Sequence, residues 1–332
     1  MKKIISAIQP TSNVTLGNYL GAIKNFVLMQ DDYEMIIFVA DLHALSSPDN
    51  QINIHQNTIN IVKTYLACGL DPHKVIIFRQ SDLPQHDELF NILLNFTTIG
   101  ELNRMTQYKD KSLKFRNSNG TEFITTSLLT YPVLMAADIL LHDADLVVVG
   151  QDQKQHLELT RNIAKRVNNK FNQNIFKIPE VYINKTGAKI LDLQDINKKM
   201  SKSNTNKKGV IFLNEDIKNI EQKIKAALTD NYNTVKFDEE KQPAVSNLIN
   251  IYAAINNISI KEVESKFENI RNYGDFKKDL INKLSDFIND FQNKFNKISD
   301  KDALDIINEG LKKIQINAKN KMDLIYKGLG IK

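Results

Sequence analysis

Three observations predict an α/β fold, a parallel sheet with helices on both faces followed by an all-helical region. Short runs rich in Ile and Val recur through the first half of the chain. Helical periodicity fills the intervals between them, and after about Asn214 the strand-like runs stop. Strand–helix–strand repetition with wholly apolar strands is the pattern that a parallel sheet covered on both sides requires.

In chain order, Lys3 to Ile8, Met35 to Val39, Val75 to Phe78 and Leu146 to Val149 read as buried strands. Asn18 to Met29 and Ile52 to Cys68 read as helices, the second with Ile52, Ile59, Val62 and Leu66 near one face. Tyr131, Met135 and Asp138 are spaced to share one face of a further helix. Beyond Asn214, Ile217, Ile220, Ile224 and Leu228 mark a helix with Glu215 and Asp216 in its first turn, where the dipole favours acids. Phe276, Leu280, Leu284, Phe287, Phe291 and Phe295 mark a longer one, and Leu304, Ile307, Leu311 and Ile314, preceded by Asp300, another.

Composition narrows the class. The chain has 332 residues, 42% of them hydrophobic, enough for a full core and two domains, and a formal charge of +5 that suits limited contact with RNA rather than a polybasic coat. The single cysteine, Cys68, excludes an intrachain disulfide framework and points to a reducing, cytoplasmic setting. Gln9 to Asn13 interrupt the first apolar run too early for a signal peptide, and no run reaches membrane-spanning length. His55, His73, His86, His142 and His156 show no ligand spacing, so no protein-bound transition metal is expected.

Neither common phosphate cradle, GxxxxGK[ST] or GxGxxG, is present. The first strand instead leads into Gln9-Pro10-Thr11-Ser12, then Thr15-Leu16-Gly17-Asn18 at a helix start. Alone this is a cap with a close-packing glycine. As a nucleotide site, Gly17 lets a flat base approach the backbone, and Asn18 and the helix N-terminus supply donors to phosphate. Far downstream lies Lys199-Met200-Ser201-Lys202-Ser203. By charge alone it is a solvated basic loop. As a partner of the first turn, its ammonium groups would track negative charge onto a leaving pyrophosphate, with Ser201 and Ser203 offering hydroxyls. Both the Thr15–Asn18 turn and the Gly150 loop come after expected strands, so both should open onto one crevice.

These segments resemble the bacterial-type tryptophanyl-tRNA synthetases, of class I. Lys199 to Ser203 is the KMSKS signature, and Thr15-Leu16-Gly17-Asn18 is similar to the HIGH signature in its tryptophanyl form. Residues 129–140 (LTYPVLMAADIL), 149–161 (VGQDQKQHLELTR), 100–102, 104–107 and 246–252 resemble it too, so the likeness runs over nearly the whole chain. The resemblance implies a Rossmann-like catalytic domain over 1–208, with a helical dimer-interface insertion near Glu101 to Leu140, and a helical tRNA anticodon-binding domain over 209–332. It carries ATP onto Gln9, Pro10, Thr11, Gly17, Asn18, Gly150, Gln151, Asp152, Ile190, Lys199, Met200, Ser201, Lys202 and Ser203. Lys111, Lys199, Lys202, Gln9 and Asn18 take the catalytic roles. Tryptophan falls to Asp138 as reader of the indole N–H, Tyr131 and Gln153 at the ammonium end, and Ile5, His43, Met135, Val147 and Val149 around the ring. A buried carboxylate suits an indole N–H, which donates and cannot accept.

The implied reaction activates L-tryptophan with ATP, carried with Mg²⁺, and then charges the 2′-hydroxyl of the terminal adenosine of tRNA(Trp). The implied assembly is a homodimer with no role for membrane or DNA. A tyrosyl-tRNA synthetase and a small-molecule nucleotidyltransferase remain the alternatives. The chain departs from the family pattern where Ile5-Ser6-Ala7 replaces Phe-Ser-Gly, Ser12 stands for glycine, and Gln151 replaces a common glutamate.

Overall fold

The computed structural model describes residues 1–11, 13–46, 53–113, 124–150, 153–182, 190–202, 204 and 206–332. Ser12, Gln151, Asp152 and Ser203 of the expected site lie outside the described residues, as does Ile52. Five strands form one parallel sheet: β1 (Lys3–Ile8), β2 (Glu34–Val39), β3 (Val75–Arg79), β4 (Leu146–Val148) and β5 (Glu180–Tyr182). Their order is β3-β2-β1-β4-β5. The chain winds outward from β1 through β2 to β3, then crosses back to place β4 on the other side of β1. That reversal leaves a crevice beyond the carboxyl ends of β1 and β4, where ligands of such sheets bind.

Strand alternation sorts the apolar residues into two layers. Ile4, Met35, Ile37, Val75 and Ile77 join one core, packed beneath the first helices and the helical second half. Ile5, Ile36, Phe38, Phe78 and Val147 join the other, beneath the helices Gln85–Leu94, Thr126–Leu140 and Lys154–Phe171. The four expected strands are found within a residue at each end. β5 was not anticipated: three residues paired only with β4 carry too little pattern to read.

Several helix expectations need correction. The helix expected from Asn18 starts at Leu16 and contains a π-helical stretch, Tyr19–Ile23, before resuming at Lys24–Met29. Such a bulge widens the turn, and Tyr19 there packs against Phe287 of the helical half, ring centroids 4.8 Å apart. Helix Ile217–Lys225 ends before Leu228, whose amide instead reaches the Leu193 carbonyl. Asp216 is that helix's N-cap, accepting from the Lys218 amide, and Glu215 lies outside it, paired with Lys223.

The last helix, Asp300–Gly328, returns to the sheet and crosses its edge strand β3. Ala303 and Ile307 enter the first core, while Ile314, Ala318, Met322 and Ile325 enter the second. Gly310 lies at the crossing, where a Cβ would stand 1.8 Å from the Ile77 carbonyl oxygen. The open edge of the sheet is thereby covered. Among the described residues no helix is long and apolar enough to cross a membrane.

Candidate active site

The two signature turns meet. Thr15 caps the helix beginning at Leu16: its hydroxyl accepts from the Asn18 amide at 3.1 Å, and the Asn18 side-chain oxygen accepts from the Thr15 amide at 3.2 Å and hydroxyl at 3.0 Å. This commits the side-chain oxygen of Asn18 inward and leaves its NH₂ as the outward donor. The segment after the basic loop is stitched to the same turn, with the Leu16 amide on the Ile211 carbonyl at 2.9 Å and the Leu213 amide on the Val14 carbonyl at 3.0 Å. A Cβ on Gly17 would lie 2.8 Å from the Met200 carbonyl oxygen and 3.2 Å from its Cβ. The absent side chain of Gly17 therefore makes room for the basic loop itself, a role expected from sequence to belong to a nucleotide base.

Met200 is the loop's anchor. Its side chain is fully buried in the first core and its amide donates to the Ile190 carbonyl at 2.9 Å. Leu191 pairs with Lys199 as an antiparallel bridge. Asn204 ties the loop's far side to Asp192 at 2.7 Å and to the Lys199 carbonyl at 3.1 Å. Asn247, on helix Pro243–Asn256, holds both polar groups of the Leu191 backbone, at 2.8 and 3.1 Å. With its stem so fixed, the loop presents Lys199 exposed and Lys202 half-buried, the Lys202 ammonium 3.3 Å from the Gln9 carbonyl. Burial pushes the Lys202 ammonium down to about 8. Pro10 is buried, its carbonyl accepting from Asn57 at 3.0 Å, while Gln9, Thr11 and Gly150 remain at least partly exposed along the crevice.

The second half of the site is a buried carboxylate. Helix Thr126–Leu140 sets Tyr131, Met135 and Asp138 on one face, with Asp138 only 2% exposed. Two connections, one after β2 and one after β3, deliver three side chains to it. His43, in the turn after β2, approaches Oδ2 at 2.9 Å. Gln80, at the end of β3, donates from Nε2 to Oδ1 and Oδ2 at 2.8 and 2.9 Å. His86 Nδ1 lies 2.6 Å from Oδ1. Asp41 locks two of these loops together by accepting from the Ser81 amide at 3.0 Å. Burial pushes the Asp138 carboxyl up, but the neighbouring His86 and the hydrogen bonds from His43 and His86 outweigh it and hold the group below the ordinary carboxylate range.

Ile5 and Val147, partners across β1 and β4, form an apolar floor on this side of the sheet, with Val149 next at the mouth. Tyr131 and Gln153 are linked through His156: the Tyr131 hydroxyl is 3.1 Å from His156 Nε2, and His156 Nδ1 is 2.7 Å from the Gln153 oxygen. The Lys111 ammonium stands 5.0 Å from the centre of the Tyr131 ring, which joins that lysine to this half of the site.

Sequence reasoning missed Gln80, His86, His142, His156 and Asn247. His156 had a local signal, its spacing of three from Gln153 at a helix start; His142 lies just past the helix that carries Asp138, and Gln80, His86 and Asn247 reach the site from other elements. Among the described residues no group of three or more metal-binding side chains is arranged to hold an ion.

Known proteins place this geometry in context. The profile of the family described as tRNA synthetases class I (W and Y) matches residues 2–289. The chain is similar to the tryptophan–tRNA ligase of Ureaplasma parvum serovar 3, at 56% identity over 314 residues and 92% of each chain. It is also similar to that of Bacillus subtilis, at 45% identity over 99% of this chain and 97% of the relative. Among solved structures, tryptophanyl-tRNA synthetase from Mycoplasma pneumoniae matches with a TM-score of 0.93 and 37% identity, covering 100% of this chain and 98% of the other. The Campylobacter jejuni enzyme complexed with ADP and tryptophan matches with a TM-score of 0.82 and 32% identity over 99% of both.

Proposed function

The chain belongs to the class I tRNA synthetases of the W and Y family, and from that premise we infer that its crevice binds ATP and its Asp138 pocket binds L-tryptophan. Its reaction is the ATP-dependent ligation of tryptophan to tRNA. The observation that carries the residue assignment is the contact of Gly17 with Met200, which joins the two signature turns beside a buried carboxylate.

In this reading the indole N–H donates to Asp138, with Ile5, His43, Met135, Val147 and Val149 around the ring. Tyr131 and Gln153, held by His156, face the ammonium group. The carboxylate of the bound tryptophan then attacks the α-phosphate in line, and pyrophosphate leaves. Asn18, Gln9 and the first turn hold the triphosphate, with Pro10, Thr11, Gly150, Gln151, Asp152 and Ile190 around the nucleotide and Met200, Ser201 and Ser203 carrying the loop. Lys111, Lys199 and Lys202 stabilise the charge that develops on pyrophosphate, so positioning and electrostatics do the work without a side-chain nucleophile. The described side chains here are mostly donors and cations, which suits Mg²⁺ arriving on the phosphate oxygens and supplying further charge neutralisation. Transfer to the terminal adenosine completes the reaction.

Residues 1–208 are assigned the chemistry and 209–332 contact with the tRNA anticodon, supported by exposed Lys278, Lys283 and Lys297 along helix Tyr273–Lys297. Exposed Ile99 and Leu113, at 71% and 59%, support a homodimer contact beside the Glu101 to Leu140 segment. A cytoplasmic setting suits that tRNA partner. Lys202→Ala is expected to slow tryptophan-dependent pyrophosphate exchange by about 100-fold or more. An unchanged rate refutes the lysine's role, and equal exchange with tyrosine refutes the pocket assignment.

A further inference from the structure

Asp138 is surrounded by more donors than recognition of one indole N–H requires, and one of them leads away from the pocket. Behind His86, on the side opposite Asp138, His142 places its Nε2 3.3 Å from His86 Nε2. Both rings are buried, at 0% and 5% exposure, against Phe78, whose ring centre lies 5.9 Å from each. Polar rings held this far from water lose hydration, which for the two facing nitrogens their mutual hydrogen bond replaces.

We propose that His142 is a positioning residue for tryptophan recognition: it satisfies the far nitrogen of His86 and so holds that ring in place while its near nitrogen turns an N–H toward Asp138 and keeps that carboxylate an acceptor. The proposal rests on Asp138 being the indole acceptor.

A neutral imidazole has one donor and one acceptor nitrogen, and only its partners decide which is which. In the wrong tautomer His86 would set a lone pair 2.6 Å from a carboxylate oxygen. The carboxylate itself disfavours that tautomer, and His142 gives the far nitrogen of the favoured one its partner. As a neutral ring it donates from Nε2 to a neutral His86, or in its other tautomer accepts from an imidazolium; in both cases His86 Nδ1 carries the proton facing Asp138. Burial and the neighbouring His86 push His142 well below its ordinary range, which keeps it neutral and able to serve in both arrangements.

Gln80 adds two further donor contacts to Asp138. Its NH₂ is committed to both carboxylate oxygens while its own oxygen, fully buried, has no hydrogen-bond partner among the described residues. An acceptor-only carboxylate favours a ligand that brings a donor over one whose ring offers no N–H.

The test compares wild type, His142→Leu and His142→Gln in pyrophosphate exchange with L-tryptophan and with its benzothienyl isostere, which has sulfur in place of the N–H. In His142→Leu the KM for tryptophan is expected to rise about tenfold and the preference over the isostere to fall about tenfold, with kcat and the KM for ATP within about twofold. His142→Gln, which donates or accepts by turning its amide, restores the preference. Wild-type preference in His142→Leu overturns the proposal, as does an equal loss in every parameter, or a Gln variant no better than Leu. Should His142→Leu fail to fold, nitrogen-15 spectra of histidine-labelled wild type decide: a proton on His86 Nδ1 throughout about pH 6 to 8 supports it, and a bare Nδ1 overturns it. Asp138→Asn separates the two levels. An unchanged KM for tryptophan there fells the pocket assignment itself, whereas a raised KM beside a normal His142→Leu fells only the role of His142.

Discussion

Gly17→Ala tests the central contact of the site. The new Cβ would sit 2.8 Å from the Met200 carbonyl oxygen, and ordinary contact begins near 3.4 Å, so one backbone must retreat by about 0.6 Å. Neither can rotate out of the way, because the obstacle is main chain and the Met200 side chain is locked in the core. Overpacking of this kind costs about 1–3 kcal/mol, offset in part by the roughly 0.5–1 kcal/mol that Ala gains over Gly in a helix. The melting temperature should then fall by no more than about 4 °C. The effect on chemistry is the sharper one. A 1 Å misplacement costs about 100-fold in rate, so a shift of about 0.6 Å in the stem of Lys199 and Lys202 predicts a loss of about tenfold in kcat. Tryptophan-dependent pyrophosphate exchange measures it, with the KM for tryptophan unchanged because Asp138 stands on another helix. Exchange within about twofold of wild type would refute the close meeting of the two turns. A matching loss of tryptophan affinity would refute the argument that displacement is confined to the phosphate side.

Two further predictions come from other parts of the molecule. Lys202 sits at about 8, below its value in the unfolded chain, and a bound triphosphate favours its charged form. ATP binding should therefore be strongest below pH 8, with the KM for ATP rising by up to about tenfold per pH unit above it. Folding stability contributed by the same group runs oppositely, since the unfolded chain holds that proton longer: it increases from about pH 8 toward the unfolded value near 10.5. A KM for ATP flat between pH 7 and about 9.5 would contradict this. Gly310→Ala sets a Cβ against strand backbone 1.8 Å away and should lift the last helix from β3, at a cost of about 3 kcal/mol or more. Calorimetry should show a melting temperature about 4 °C lower or worse; an unaltered melt would mean the helix does not cross where described.

Much of the fold could be read before any coordinates. Runs such as Ile4-Ile5 and Ile36-Ile37-Phe38 are apolar on both faces, and only a sheet covered on both sides accommodates that. Helix ends were harder. Hydrophobic spacing puts Leu228 inside a helix and the dipole's preference for acids puts Asp216 there, but neither sees the cap bond to the Lys218 amide or the reach of Leu228 to Leu193. The site was legible as motifs and not as contacts. Its lysines, its first turn and Asp138 were named from sequence, yet the reason for Gly17 differed from the one expected.

By itself the sequence determined the α/β class, the two signature turns, the acidic residue on an apolar helix and the family to which they belong. Each of these is written in neighbouring residues, where periodicity and motif spacing are legible. Only the tertiary structure decided that Met200 fills the space at Gly17, that Gln80, His43 and His86 converge on Asp138, that His142 backs His86, and that the last helix closes the edge of the sheet at Gly310. Those pairings join residues tens to hundreds of positions apart. Which distant side chains share a buried hydrogen bond is settled by how the layers pack, and no local pattern encodes it.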